Sequence, residues 1–463
     1  MKKRLLSLLL VLALILPILA GCVTDNNSNG SHDLAIDGVP LSEYTIIYPE
    51  GADSVTTYTA FALADYFKAN TDVEFKGSTP MPDTTEESDY EILIGATNRA
   101  ASQKAAQIQL EESQYVFFME NAQVVCHGNG YYVGSAVYEF ISTYFPDTKI
   151  ATESINATGL PTEPVAKNFV FPDATSVIMM IGDGMGYNHI EMALHAGVID
   201  RFYAHDLPYF TWCRTYSLSG VTDSAASATA LATGYKTING YIGQNESGEN
   251  VPNVSEVAYG AGANVAVLTT DNLHGATPSG FNVHTRSRGN SGDILDQFYE
   301  KIRSEELKYA KGQVQLSPDK LTDGTRDALR TISANDSRFF IMIEEAYTDK
   351  GSHSNDASVS NAAVARLNDA VAYTIAFVML HPDTALILTA DHETGGLTQN
   401  ENGGYDYTTD DHTGVDVPYF ALGGENVAKF IATDEKLDNV WNASFIASIF
   451  GNTNFGDPAY RYK

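Results

Sequence analysis

The sequence predicts an α/β protein with a largely parallel central sheet flanked by helices, preceded by a smaller α/β domain. Two observations carry this. From Phe169 onward, continuous apolar runs each end in a polar, chemically capable cluster. SVIMMIGDG ends at Asp183, VAVLTTDNLHGATP runs to Thr277, FFIMIEE ends at Glu344 and Glu345, and TALILTADHE ends at Asp391 and His392. Strands that are apolar throughout are buried on both faces, as in parallel sheets covered by helices. Before residue 150 the texture differs: shorter strand-like and helix-like segments alternate.

The N-terminus reads as a targeting segment. Lys2, Lys3 and Arg4 precede an apolar run from Leu5 to Ala20. The run is too short and too terminal for a spanning helix. Its end, Leu19-Ala20-Gly21-Cys22, resembles the lipobox of bacterial lipoproteins. Residues 1–22 are therefore expected to be a lipoprotein signal peptide, with Cys22 lipidated. The protein would then be exported and lipid-anchored, on the outer side of the bacterial cytoplasmic membrane or in the cell envelope. Residues 23–43 read as a flexible tether.

Residues 44–150 read as an accessory α/β domain. Thr45–Tyr48, Tyr90–Gly95, Tyr115–Met119 and Gln123–Cys126 have strand character, whereas Tyr58–Phe67 and Tyr132–Tyr144 have helical spacing. The order resembles the accessory domain found ahead of some glycoside hydrolases. Residues 151–168, with Pro161 and Pro164, read as a linker. Residues 169–463 are the expected catalytic domain.

Composition excludes one class of partner. The chain has 463 residues, 28 Lys+Arg against 58 Asp+Glu, and a net charge of -30. No basic patch is interleaved with aromatics, so nucleic acid is not an expected partner. Such a field repels an anionic substrate, so an anion site must build its positive charge locally. Only Cys126 and Cys213 remain beyond Cys22, in different predicted domains, so no disulfide framework is expected.

Within the catalytic domain the stretch VTDSAASATALATGYKT, from Val221 to Thr237, stands out. Its Ala content predicts a helix that Gly234 stops. Thr222 and Asp223 are good N-cap types, which puts Ser224 in the first turn. The unpaired N–H groups there favour phosphate.

The remaining candidates suggest metals. Asp349 and His353 are four residues apart, close after Glu344. Asp391 and His392 adjoin at a strand end, and His412 follows Asp410 and Asp411 in a loop. Mixed Asp/His sets suit zinc, and a Thr/Glu/Asp oxygen set suits magnesium. With a serine at a helix N-terminus, they fit metal-assisted attack on a phosphate.

From about Ser176 to Gly424 the sequence resembles the alkaline phosphatases. The resemblance implies an alkaline-phosphatase-like fold, two Zn2+ and one Mg2+, phosphate monoester substrates, and a homodimer as the candidate assembly. Ser224 in TDSAA matches the nucleophile, and Asp183 in IGDGMG matches the Asp bridging one zinc and the magnesium. Thr277 in ATP and Glu344 in IEEAYTDKGSH match magnesium ligands. Asp349, His353 and His412 match ligands of the first zinc; Asp391 and His392 match ligands of the second. Arg288 matches the phosphate clamp, with Arg286 the nearby alternative. Lys350 matches a position that varies among Lys, His and Trp and is expected beside the phosphate, through water.

Two departures stand out. The family often places Asp or His two residues before Thr277, where this chain has Gly275. The stretch after Arg288, through Ser317–Thr325, lacks an apolar strand and Gly-rich turn that many members carry. Ser227 reads as a packing residue, Glu345 as solvated or a cap, and His189, His195 and His284 as structural. The leading expectation is a phosphomonoesterase working through a phosphoserine; the alternative is a phosphodiesterase or phosphotransferase of the same superfamily.

Overall fold

A computed structural model describes residues 34–71, 73–146 and 154–460. Cys22, the signal segment and most of the expected tether lie outside the described residues.

The N-terminal unit is built on a six-stranded sheet. Its order is Met81–Pro82, Thr45–Tyr48, Glu91–Ile94, Gln123–Gly128, Gln114–Glu120 and Lys167–Asn168. Strand alternation sends Ile46, Ile92, Ile94, Val124 and Phe117 to one face, against Phe67 and Phe140 of the helices Ser54–Thr71 and Val133–Tyr144. Ile47, Leu93, Val116, Phe118 and Val125 go to the other, against Ala101 and Ala105.

Two expectations change here. The tether is ordered from Leu34: Leu34–Ile36 pairs with Val39–Pro40 and, in parallel, with Ile155–Ala157. Leu34, Ile36 and Leu41 are buried, and that apolar contact holds the last part of the expected tether in place. The linker is likewise paired at Ile155–Ala157 and at Lys167–Asn168, so it straps the unit rather than hanging free.

The sheet of the C-terminal unit has eight strands. They are β1 (Ser176–Gly182), β2 (Tyr209–Arg214), β3 (Asn264–Thr269), β4 (Tyr309–Lys311), β5 (Phe339–Glu345), β6 (Thr384–Thr389), β7 (Val417–Leu422) and β8 (Lys436–Asp438). Their order is β4-β3-β5-β1-β6-β7-β2-β8, and only β7 runs antiparallel to its neighbours. All seven residues of β1 and all seven of β5 are buried, as the apolar runs predict. The short β4 occupies part of the stretch after Arg288. In register, Thr269 faces Glu344, Gly182 faces Glu345 and Ile181 faces Thr389. The carboxyl ends of β3, β5, β1 and β6 therefore line one edge, where open α/β sheets bind ligands.

The helix Ala357–Leu380 joins the two units. By length and composition it is apolar enough to cross a membrane, but it is mostly buried inside the molecule. Leu367, Val371 and Ile375 belong to the core of the C-terminal unit, while Met379 and Leu380 belong to the N-terminal core. The approach is close: a Cβ on Gly134 would lie 2.5 Å from Met379 Cβ. Polar contacts line the same boundary. Arg326 gives Asp65 three hydrogen bonds, of 3.1, 3.2 and 3.0 Å, and Tyr58 donates to Asp369 at 2.8 Å.

Candidate active site

The nucleophile candidate sits where capping chemistry puts it. The helix Ser224–Thr233 has Asp223 as N-cap, whose Oδ1 accepts the Ala226 N–H at 2.9 Å. Gly234 ends it in the left-handed conformation, φ +75°, which costs glycine nothing. Every residue of the helix is buried, because its Ala, Ser and Thr side chains allow close packing on all sides. Ser224 Oγ lies 3.1 Å from His392 Nε2.

His392 is the hub of one donor group. Its Nε2 is 3.3 Å from Asp391 Oδ2 and 3.5 Å from Asp183 Oδ1. Both carboxylate oxygens are buried and accept no hydrogen bond among the described residues. A buried anionic oxygen with no partner is costly unless a cation satisfies it. A second group, Asp349, His353 and His412, adjoins the first at Asp349. The Nε2 atoms of His353 and His412 are 3.1 Å apart.

The ring tautomers follow from the outer contacts. His353 Nδ1 meets the Asp410 carbonyl at 2.6 Å, and His412 Nδ1 meets the Thr222 carbonyl at 2.8 Å. His392 Nδ1 meets Thr394 Oγ, which itself donates to Asp349 Oδ1. Each neutral ring therefore carries its proton on Nδ1 and turns the Nε2 lone pair inward, the arrangement a metal-binding histidine adopts. Three inward lone pairs among unpartnered carboxylates fit divalent cations.

A third set lies across Asp183. Glu344 is buried at the end of β5, where Thr269 Oγ donates to its Oε2. The Thr277 hydroxyl is close enough to favour the Glu344 carboxylate, yet makes no hydrogen bond of normal geometry. Burial, then the Asp271 charge, pushes Glu344 up to about 8. Burial, then the charges of Asp391, Asp349 and Glu344, pushes Asp183 well above the carboxylate range. Asp349 goes the other way: burial opposes ionisation, but the His412 imidazole 3.6 Å away, the other imidazoles and the Thr394 hydroxyl outweigh it. By the same contacts His412 rises to about 9 although burial opposes it. The carboxylates thus repel one another and hold a proton where a cation belongs.

Arg288 reaches the mouth of this group. Its Nη1 donates to Asp223 Oδ2 at 3.2 Å, and that oxygen also accepts the Gly240 N–H. Arg286 instead donates to the Ser247 carbonyl and lies over the Tyr241 ring. Lys350 Nζ donates to Asp271 Oδ1 at 2.7 Å. Asp271 Oδ2 stands 2.8 Å from where a Cβ on Gly275 would be. The space left by Gly275 is therefore filled by a carboxylate four residues earlier.

All eleven candidates in the catalytic domain meet at this edge of the sheet. Sequence reasoning missed the residues that orient them: Asp223 as the partner of Arg288, Thr394 between His392 and Asp349, and Asp271 beside Lys350. It did name Asp223 as a cap, which was the available signal. Glu345 is buried, paired with Arg366 and accepts the Tyr347 N–H, so it is neither a solvated side chain nor the N-cap, a place taken by Ala346.

The family model described as alkaline phosphatase matches residues 174–316 and 299–413, just over half of the chain. The chain belongs to the alkaline phosphatase family. Alkaline phosphatase 4 of Bacillus subtilis (strain 168) is 28% identical over 294 residues, which cover 49% of this chain and 63% of the relative. The chain thus spans less than two thirds of that relative's length. Among solved structures, alkaline phosphatase from the Antarctic bacterium TAB5 superposes with a TM-score of 0.54 at 23% identity, covering 62% of this chain and all of that one. A mutant of that enzyme with Mg bound in its M3 site gives 0.53 at 23%, with coverage of 62% and 100%. At these identities the likeness establishes the shared fold alone. The matched region leaves out the whole N-terminal unit described above.

Proposed function

We propose that the chain is a metal-dependent phosphomonoesterase that works through a phosphoserine on Ser224. The observation that carries this is the buried Ser224 hydroxyl, 3.1 Å from His392 Nε2, at a helix N-terminus within reach of both donor groups. Asp349, His353 and His412 would hold one Zn2+, and Asp183, Asp391 and His392 the second. Asp183, Thr277 and Glu344 would hold Mg2+. Bound cations would supply the charge that ionises the serine and stabilises the departing oxygen.

The chain's own groups do the rest. The backbone N–H groups at the start of the Ser224 helix face incoming phosphate oxygens. The Arg288 fork, aimed by Asp223, grips two oxygens that do not take part in bond exchange. Lys350, steadied by Asp271, adds positive charge beside them. Ser224 Oγ forms the bond to phosphorus as the ester oxygen leaves. Water then attacks the same phosphorus, releases inorganic phosphate and returns the serine oxygen. The rigid helix and buried strand ends keep these groups in place through both steps.

We also propose that the protein is exported and anchored to a membrane through lipid on Cys22, and that it takes small exposed phosphate esters. Acid-quenched turnover of a phenyl phosphate, read by mass spectrometry, tests the central claim. A phosphoryl group should appear on Ser224. Ser224→Ala should lose turnover by orders of magnitude and keep near-normal zinc. A Ser224→Ala chain that still forms acid-stable phosphoserine would end this reading.

A further inference from the structure

One buried cation takes no part in the reaction above. Lys236 follows the Ser224 helix and is only 1% exposed. Its Nζ pairs with Asp438 Oδ1 at 2.8 Å and donates to the Tyr216 carbonyl at 2.9 Å and to Asn439 Oδ1 at 2.7 Å. It also lies 3.7 Å from the centre of the Tyr216 ring. An ammonium has three N–H donors and no acceptor, so this one is fully used.

The direction of every later bond follows from that charge. Because Asn439 Oδ1 accepts from Lys236, its amide must turn Nδ2 the other way. Asn439 Nδ2 donates to Ser227 Oγ at 3.0 Å. A hydroxyl that accepts there has its own proton free to donate, and Ser227 Oγ donates to the Asp391 carbonyl at 2.6 Å. That carbonyl belongs to the peptide linking Asp391 to His392. Ser227 is one turn beyond Ser224, whose hydroxyl faces the His392 ring. One helix therefore touches the Asp391–His392 pair twice, through the nucleophile and through the hydroxyl at the end of this relay.

We propose that Lys236 is a positioning residue, acting through Asn439 and Ser227 to fix the Asp391–His392 ligand pair against the nucleophile. The inference rests on the metal-dependent reading above. The relay is anchored outside the family-matched region. Asp438 and Asn439 open the helix Asn439–Ile449, where Asp438 is the N-cap. Asp438 thus fixes both the helix start and the lysine, and Asn439 is itself fully buried. A hydrophobic residue in place of Lys236 would leave the Asn439 amide free to rotate. Ser227 would then lose its dictated role as donor to Asp391.

The test compares Ser227→Ala, Lys236→Met and their double variant in the full chain. Zinc affinity is measured by competition with a chromogenic chelator, and thermal unfolding is followed at saturating chelator. Outer partners of metal ligands commonly change affinity by about 10–100-fold, and a loss in that range is expected for each single variant. The double variant should be no worse than the weaker single one, because both act along one path. Ser227→Ala removes only a hydroxyl, so it keeps the test open where Lys236→Met fails to fold. A folded Ser227→Ala chain with unchanged zinc affinity would overturn the relay. Additive losses in the double variant would overturn it too. A wild-type chain that takes up no zinc would instead overturn the metal reading beneath it, and the relay with it.

Discussion

The Nε2 atoms of His353 and His412 face each other 3.1 Å apart, each ring held from behind by a backbone carbonyl. Two lone pairs at that distance repel unless a cation or proton lies between them. Metal binding should therefore stabilise the fold as well as enable chemistry. Zinc at about a hundred times its Kd should add roughly 2.7 kcal/mol of stability. Thermal unfolding with and without chelator checks this. Activity should vanish on chelation and return with zinc and magnesium. No shift in Tm on zinc addition would contradict it.

Asp223 serves two partners, the helix it caps and the arginine it aims. Asp223→Ala should cost about 1 kcal/mol through the lost cap. It should also let Arg288 wander and weaken inhibition by inorganic phosphate by about tenfold, or roughly 1.4 kcal/mol. Asp223→Asn keeps a capping oxygen and loses the charge. It should retain stability yet still bind phosphate less well. Equal phosphate inhibition in wild type and Asp223→Asn would show that Arg288 does not depend on this partner.

A separate ion pair sets a pH dependence away from the proposed metal ligands. His284 Nε2 lies 2.8 Å from Glu256 Oε1, and its Nδ1 meets the Gly243 carbonyl at 2.7 Å. Burial opposes the imidazolium, but the Glu256 hydrogen bond overcomes it and raises His284 above its ordinary 6.5. The stabilisation is fully present below 6.5 and is lost as pH rises through the raised folded value. Burial likewise opposes Glu256 ionisation, but the bonds and charges of His284 and Lys301 hold its pKa down at about 2. Its stabilisation is present above 4.5 and is lost as pH falls toward 2. Against wild type, His284→Gln should be destabilised by about 1 kcal/mol at pH 6. That deficit should shrink as pH rises into the alkaline range, and urea titrations at several pH values measure it.

The shared boundary bears on truncation. A chain starting near Asn168 would uncover the far end of the helix Ala357–Leu380, where Met379 and Leu380 sit in the N-terminal core. It should self-associate, as shown by light scattering. Polar replacements at Met379 and Leu380 should return it to solution. That soluble, metal-loaded truncation should hydrolyse a small aryl phosphate at close to the full-chain rate, since every proposed ligand lies between Asp183 and His412. A soluble but inactive truncation would mean that the N-terminal unit completes the site.

The catalytic sheet was legible because burial on both faces leaves nearly unbroken apolar runs such as SVIMMIG and FFIMIEE. Asp183, Glu344, Asp391 and His392 were legible as candidate ligands because each closes such a run. What orients them was not. Asp271 takes the place beside Gly275 from four residues away, which depends on how the loop folds back. Thr394 and Ser227 look like ordinary hydroxyl residues until the elements that they bridge are brought together. Leu34–Ile36 is too short to announce a strand, and its partner lies beyond residue 150.

Asp65 meets Arg326 across 261 positions of the chain, and Tyr58 meets Asp369 across 311. Contacts so distant in sequence form only after long loops have closed, at an entropic cost that grows with their length. The N-terminal unit is synthesised first, yet Met379 and Leu380 belong to its core. While the chain emerges, the face that they cover stays wet and open to wrong partners. The maturation of the first unit is therefore timed by the arrival of a helix most of the chain away.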